Sequence, residues 1–243
     1  MTQNIAIKTV GLTKEFSKKK VVNGLNIEIE TGEIFGFLGP NGSGKSTTIK
    51  LLCGLITPTS GEAFVKGYKI TSEGEEIRKS IGYMSQRFSL YEDLTTYQNL
   101  HFYAQLYNVK KDDLENRINE VMELANLEHE KDKQAGKLSG GFKQRLAFAC
   151  SIVHNPKIIF LDEPTAGIDP VARKEMWDLF FSLTTKGLTL FITTHYMDEA
   201  EWCHKLGYIY NGELMAYGLT SDLAKSKNEL ETLFIKITKS NEK

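Results

Sequence analysis

The chain has 243 residues, 41% hydrophobic and 25% charged, with 30 Lys and Arg against 31 Asp and Glu for a formal net charge of −1. That is ordinary globular composition, and the length is enough to bury a core without disulfide staples. A disordered chain, a collagen-like repeat, a coiled-coil rod and a strongly basic nucleic-acid binder are excluded.

The opening MTQNIAIK carries no apolar stretch, so no secretory leader is expected. Residues 5–10 and 62–66 read as weak strands. Residues 25–30, LNIEIE, alternate strictly before Thr31-Gly32 and read as a half-buried strand. Together they predict a small antiparallel sheet. Residues 34–38, 157–161 and 188–192 are apolar without alternation, the pattern of parallel strands covered on both faces. From about residue 93 to 153 the signals are helical. Leu114, Ile118, Val121, Met122 and Ala125 recur at helical spacing, with Asp112 or Asp113 placed to cap. Phe142, Leu146, Ala149, Cys150 and Val153 form a second stripe, and Pro156 stops it. Asn211-Gly212 joins 206–210 to 213–217 as a hairpin with a type I′ turn. Cys53, Cys150 and Cys203 are too far apart for a metal or disulfide pattern; buried free thiols in a reducing compartment are expected. No apolar run approaches the roughly 18 residues of a membrane span. If the chain works at a membrane, a partner holds it there.

Residues 39–47 read GPNGSGKST and follow the apolar strand 34–38. This is the G-x-x-x-x-G-K-[ST] pattern, with a helix predicted over 45–52 and Gly54 at its end. The backbone of Gly39, Pro40, Asn41, Gly42, Ser43 and Gly44 can curl so that N–H groups point inward at phosphates. The helix N-terminus adds partial positive charge. Lys45 can reach the β- and γ-phosphates, Ser46 can ligate Mg²⁺, and Thr47 and Thr48 complete the binding segment. Residues 158–164, IIFLDEP, end a buried strand in two carboxylates, and Pro164 forbids its continuation. Asp162 would hold Mg²⁺, and Glu163 would polarise an attacking water. Residues 138–146, LSGGFKQRL, place Ser139 as an N-cap before Gly140 and Gly141: a second helix start suited to an anion.

These motifs, with the glutamine of YMSQ at 83–86, GID at 167–169 and His195 after LFITT, resemble in order and spacing the nucleotide-binding subunit of ATP-binding cassette (ABC) transporters. The resemblance covers nearly the whole chain. It implies an α/β fold: a P-loop NTPase, RecA-like core with an antiparallel β-subdomain and an inserted α-helical subdomain. The divisions would be 1–87, core with the β-subdomain; 88–155, helical; and 156–243, second part of the core with a C-terminal helix. It also implies that Phe16 stacks on adenine, and that Gln86 senses Mg²⁺ and the attacking water. Asp169 would link two active sites, and His195 would contact the γ-phosphate. Ser139 and Gly141 would touch the γ-phosphate held by another subunit's Lys45, so that two subunits enclose two ATP molecules. Phe142 departs from the family, which commonly has Gln there; this would alter the interface or helix packing rather than phosphate binding.

The implied partners are a second cassette, plausibly an identical chain, and a transmembrane permease, with the subunit peripheral on the cytoplasmic face of the membrane. No nucleic-acid partner is implied. The aromatic stretch with Phe88, Leu90 and Tyr91, and the ending LETLFIKIT, resemble the exporter branch that moves drugs, lipids or polysaccharides. The rival reading is an ABC ATPase acting on ribosomes or DNA. Paired cassettes or a long coiled-coil insertion, usual in such proteins, do not fit 243 residues.

Overall fold

The computed structural model describes residues 5–86, 89–224 and 226–240. Strands β1 (Ile5–Phe16), β2 (Lys19–Leu25) and β3 (Glu28–Glu30) come first. Strand β4 (Ile34–Leu38) then runs through the glycine-rich loop into α1 (Lys45–Leu52). Next come β5 (Ser60–Val65), β6 (Tyr68–Lys69), α2 (Gly74–Ser80) and β7 (Ile81–Met84). The middle holds α3 (Thr96–Leu106), α4 (Lys111–Leu124) and α5 (Gly140–Ile152), with single 3-10 turns at Glu128–Glu130 and Ala135–Lys137. Strand β8 (Ile158–Asp162), α6 (Pro170–Thr184), β9 (Thr189–Thr194), α7 (Met197–Ala200), β10 (Lys205–Tyr210), β11 (Glu213–Leu219), α8 (Thr220–Leu223) and α9 (Lys227–Ser240) complete the order.

Two sheets result. The first is antiparallel, in the order β2-β1-β5-β6 with β3 also on β1; the second runs β11-β10-β4-β9-β8-β7. In the second, β10, β4, β9, β8 and β7 pair in parallel, and only β11 runs against its neighbour. Every residue of β4, β8 and β9 is buried. The two faces of these apolar strands serve different cores, because successive side chains point to opposite sides. Phe35, Phe37, Phe160 and Phe191 face α1 and the antiparallel sheet. Ile34, Leu38, Ile159, Leu161 and Ile192 join the core of Phe148, Trp177 and Phe180, into which the helices of the middle segment also send Leu100, Leu114 and Ile118.

The expected strand over 25–30 is broken. The Asn26 side chain accepts from Gly11 N–H at 2.8 Å and donates to Gly24 O at 2.8 Å. That local bonding competes with the ladder and separates β2 from β3. The expected cap at Asp112 or Asp113 is also corrected: Lys110 occupies the N-cap, and both aspartates sit in the first turn of α4, where the helix dipole favours them. The hairpin turn is as expected, with positive φ at Asn211 and Gly212. All three cysteines are buried and free.

Strand β7 gave no sequence signal, since IGYM is short and contains a glycine. The glycine is a packing requirement. A Cβ on Gly82 would come 2.3 Å from the Ser151 carbonyl oxygen on α5. Gly82→Ala should therefore lower stability by about 1–3 kcal/mol, read as a shift in urea midpoint. Nearby, His154 stacks on Tyr107 with centroids 3.8 Å apart, and its Nε2 lies 2.9 Å from Ile81 O. Burial lowers its pKa from the ordinary 6.5. The folded state thus binds fewer protons than the unfolded one. The His154 contribution is intact above about pH 6.5 and is lost as pH falls through the folded value. His154→Phe, which keeps the stack, should flatten that part of the stability–pH curve in thermal melts.

Candidate functional site

The C-terminal ends of β4, β9 and β8 lie side by side, and β7 flanks them. Ligands of open parallel sheets bind at this edge. A cleft here is lined by Val21, the loop residues Asn41, Gly42 and Gly44, the helix start Lys45, Ser46 and Thr47, and by Gln86 and Glu163.

The loop glycines are required by geometry at two positions. A Cβ on Gly39 would meet Ile209 O at 2.2 Å; one on Gly44, where φ is +114°, would meet Val21 O at 2.3 Å. Gly44 is the N-cap of α1 with no side-chain bond, so the first amides of that helix remain for an outside acceptor. Pro40, Asn41 and Gly42 are exposed. Thr48 points back and donates to Gly44 O at 3.0 Å. It braces the loop from behind rather than lining the cleft. The buried Ser43 hydroxyl has no hydrogen-bond partner among the described residues.

Lys45 is 5% exposed. Its Nζ donates to Gly39 O at 2.7 Å and Pro40 O at 3.1 Å and lies 3.7 Å from Glu163 Oε1. Burial lowers its pKa, against the raising pull of Glu163 and Asp162. Glu163, 9% exposed, has φ +51°, a left-handed backbone unusual for a side-chain-bearing residue. Its N–H is held by Thr193, bonding the carbonyl at 3.1 Å and the hydroxyl at 3.0 Å. Its Oε2 accepts from Gln86 Nε2 at 3.1 Å and lies 3.3 Å from His195 Nδ1. Lys45, Gln86 and His195, from three separated segments, thus converge on one carboxylate.

Thr193 is the residue that sequence reasoning passed over. Besides holding Glu163, its hydroxyl donates to Asp162 Oδ1 at 2.7 Å. The available signal was a pair of hydroxyls, Thr193 and Thr194, closing a strand whose middle, Leu190 to Ile192, is apolar. Ser46, Asp162 and Gln86 offer a hydroxyl, a carboxylate and an amide oxygen. These are hard oxygen donors that fit Mg²⁺. Gln86 gives its amide nitrogen to Glu163, which leaves the oxygen as the ligating atom. Among the described residues no group of three or more His, Cys, Asp or Glu gathers as a metal centre. Phosphate oxygens and water would complete the shell.

Five other sequence-predicted residues stand apart from this cleft's lining. Phe16, 48% exposed at the end of β1, has Lys14 Nζ 4.9 Å from its ring centre. Ser139 is at the N-cap of α5 as expected, but its side chain makes no capping bond. Gly140 is exposed and Gly141 half-buried, where an added Cβ would come 3.1 Å from Ala172. Asp169 caps α6, accepting from Val171 N at 2.9 Å and Ala172 N at 3.0 Å. The Ala172 amide leads the causes that hold its carboxyl below the usual range.

Phe142 is half-buried, 5.8 Å from the Arg145 guanidinium, in keeping with a helix-packing role. In the aromatic stretch, Tyr91 meets Phe102 edge-on at 4.7 Å, both exposed. Beside them Leu90, Tyr103 and Tyr107 line a groove with Tyr83 and Cys150. Phe88 lies outside the described residues.

Residues 22–166 match the sequence profile of the ABC transporter family. The chain is 46% identical over 219 residues to the "Probable multidrug ABC transporter ATP-binding protein YbhF" of Escherichia coli (strain K12). That alignment takes in 90% of this chain but only 38% of the relative's length. The chain is 37% identical to the linearmycin resistance ATP-binding protein LnrL of Bacillus subtilis (strain 168), over 87% of this chain and 68% of that protein. A solved dimeric ATP-binding cassette, in a post-hydrolysis state bound to ADP and Pi, superposes with a TM-score of 0.79 at 27% identity, over 88% of this chain and 98% of that one. The fold is therefore that of an ATP-binding cassette: a P-loop α/β core with one mainly parallel and one antiparallel sheet.

The steric constraint at Gly44 gives a direct test of the loop. Gly44→Ala should weaken ATP binding at least about tenfold in calorimetric titration, since the loop must shift off Val21 O to admit the methyl.

Proposed function

The chain belongs to the ABC transporter family, and from that premise we propose that it is the ATP-hydrolysing subunit of an exporter. Its substrate is ATP, and its work is done on a separate transmembrane permease. The observation that carries this reading is the convergence of Lys45, Gln86 and His195 on the Glu163 carboxylate, at the sheet edge where the phosphate loop begins.

The residues divide the labour of phosphoryl transfer as follows. The loop amides from Gly39 to Gly44 and the start of α1 receive the phosphates, with Thr47 on an α- or β-oxygen. Lys45 brings a buried positive charge to the β- and γ-phosphates, where low surrounding polarity strengthens it. Glu163 polarises the attacking water. Gln86 and His195 both engage Oε2, which fixes the direction of that carboxylate. His195, 38% exposed, also has room to meet the γ-phosphate. Ser46, Asp162 and Gln86 would hold Mg²⁺, which when bound neutralises charge on the phosphate oxygens. Phe16 stacks on adenine.

Ser139, Gly140 and Gly141 serve a second cassette. They are absent from this chain's own cleft lining, and the open N-terminus of α5 presents unsatisfied amides. Asp169, exposed at the start of α6, contacts the same partner. Two identical copies can supply all these parts, so a homodimer closing on two ATP molecules follows. The three-part division at residues 87/88 and 155/156 sets the helical segment between the two halves of the ATP-binding core. The aromatic surface around Tyr91 and Phe102 receives the permease. No described helix is long and apolar enough to cross a membrane. Attachment at the cytoplasmic face is through that permease. The export direction rests on the relatives' names: one is a multidrug protein, another a linearmycin resistance protein.

Glu163→Gln should cut the ATPase kcat by about 10²–10⁴-fold while leaving ATP binding intact. At saturating Mg-ATP the variant should elute as a dimer in size-exclusion chromatography. Hydrolysis at the wild-type rate, or a monomer under those conditions, would overturn the assigned roles.

A further inference from the structure

Behind the cleft lies a buried polar cluster that the phosphoryl-transfer roles above do not use. Glu199, in the short helix α7, is 0% exposed. Its Oε1 accepts a hydrogen bond from the Thr165 hydroxyl and lies 3.7 Å from Arg173 Nε. Its Oε2, and Arg173 Nε itself, have no hydrogen-bond partner among the described residues. The Arg173 guanidinium stacks 4.3 Å from the centre of the Tyr196 ring, and that ring lies 4.2 Å from the imidazole of His195.

The placement of these groups along the chain is the telling feature. Thr165 follows Glu163 by two positions, Arg173 follows Asp169 by one helical turn, and Glu199 lies four positions after His195 in the short helix that follows it. Each of three separated segments that carry a cleft or interface residue therefore sends one side chain to the same buried point. A fourth segment is tied in next door, where Gln144 of α5, the helix that Ser139 begins, donates to Pro164 O. A buried, incompletely satisfied ion pair is a poor stabiliser, and apolar residues of similar volume often replace one without loss of stability. What such a pair provides is a fixed direction between the groups it joins. We propose that Glu199, acting through Thr165 and Arg173, is a positioning residue for ATP hydrolysis: it holds Glu163, Asp169 and His195 in one register. This rests on the ATPase reading above.

The test is steady-state ATPase kinetics on the full chain with Mg-ATP, alongside thermal melts. Glu199→Gln and Thr165→Val should lower kcat by about 10- to 100-fold, the scale of a small misplacement, with KM for ATP within about two-fold of wild type. Thr165→Ser, which keeps the hydroxyl, should restore kcat. The double variant Arg173→Met with Glu199→Leu should melt within a few degrees of wild type yet stay slow. If the single variants hydrolyse ATP like wild type, or if the double variant is both stable and fully active, the cluster is structural and the proposal falls. A wild-type chain without ATPase activity is a different result: it removes the ATPase reading itself, and this proposal with it.

Discussion

A lysine ammonium and a glutamate carboxylate, each more than nine-tenths buried, face one another across 3.7 Å at the heart of this chain. Each charge offsets part of the other's cost of leaving water. Lys45 gains further compensation from the carbonyls of Gly39 and Pro40, and the Glu163 carboxylate from Gln86 and His195. The surrounding fold can be understood as the scaffold that delivers these groups. The left-handed backbone at Glu163 is one consequence. Strand β8 must end there and turn its next carboxylate toward the loop, and the two bonds to Thr193 hold that conformation.

The strand order explains how residues so distant in sequence meet. Strand β9 lies between β4, which leads into the phosphate loop, and β8, which leads into Asp162 and Glu163. It therefore places Thr193 against both acids and His195 just beyond them. Strand β7, on the outer side of β8, delivers Gln86. Four parallel strands ending in line thus contribute one functional segment each, the arrangement that makes the C-terminal edge of such sheets a binding edge. The double-faced burial of β4, β8 and β9 keeps this edge rigid: their phenylalanines lock one face to α1 and the antiparallel sheet, and their aliphatic residues lock the other to α5 and α6.

The segment around Ser139 obeys a different logic. Helix α5 is anchored by its buried length, including Leu146, Phe148 and Cys150, while Ser139 and Gly140 at its start are exposed and its N-terminus has no side-chain cap. Gly141 packs close to Ala172, in the first turn of the helix that Asp169 caps. Two helix starts are thus presented together, apart from the chain's own cleft. The proposed dimer would use this pair of helix starts.

Much of the site was legible in the sequence because its chemistry is local. Gly39 to Thr48 read as a phosphate loop since closely spaced glycines, a lysine and hydroxyls before a helix have few other uses. Asp162 and Glu163 were legible because two carboxylates ending a buried strand demand a reason. The hairpin at Asn211-Gly212 and the parallel strands were equally plain, being set by turn chemistry and apolar runs. The roles of Gln86, His195 and Asp169 came only through family resemblance, since a lone polar residue in a loop carries no local signal. What only the tertiary structure decided is which groups meet. The break at Asn26, the strand around Gly82, the hold of Thr193 on both acids and the meeting of Thr165, Arg173 and Glu199 all depend on contacts between segments far apart in the chain. Local propensity has no information about such contacts, because register and close approach are fixed only when the sheet and its covering helices pack.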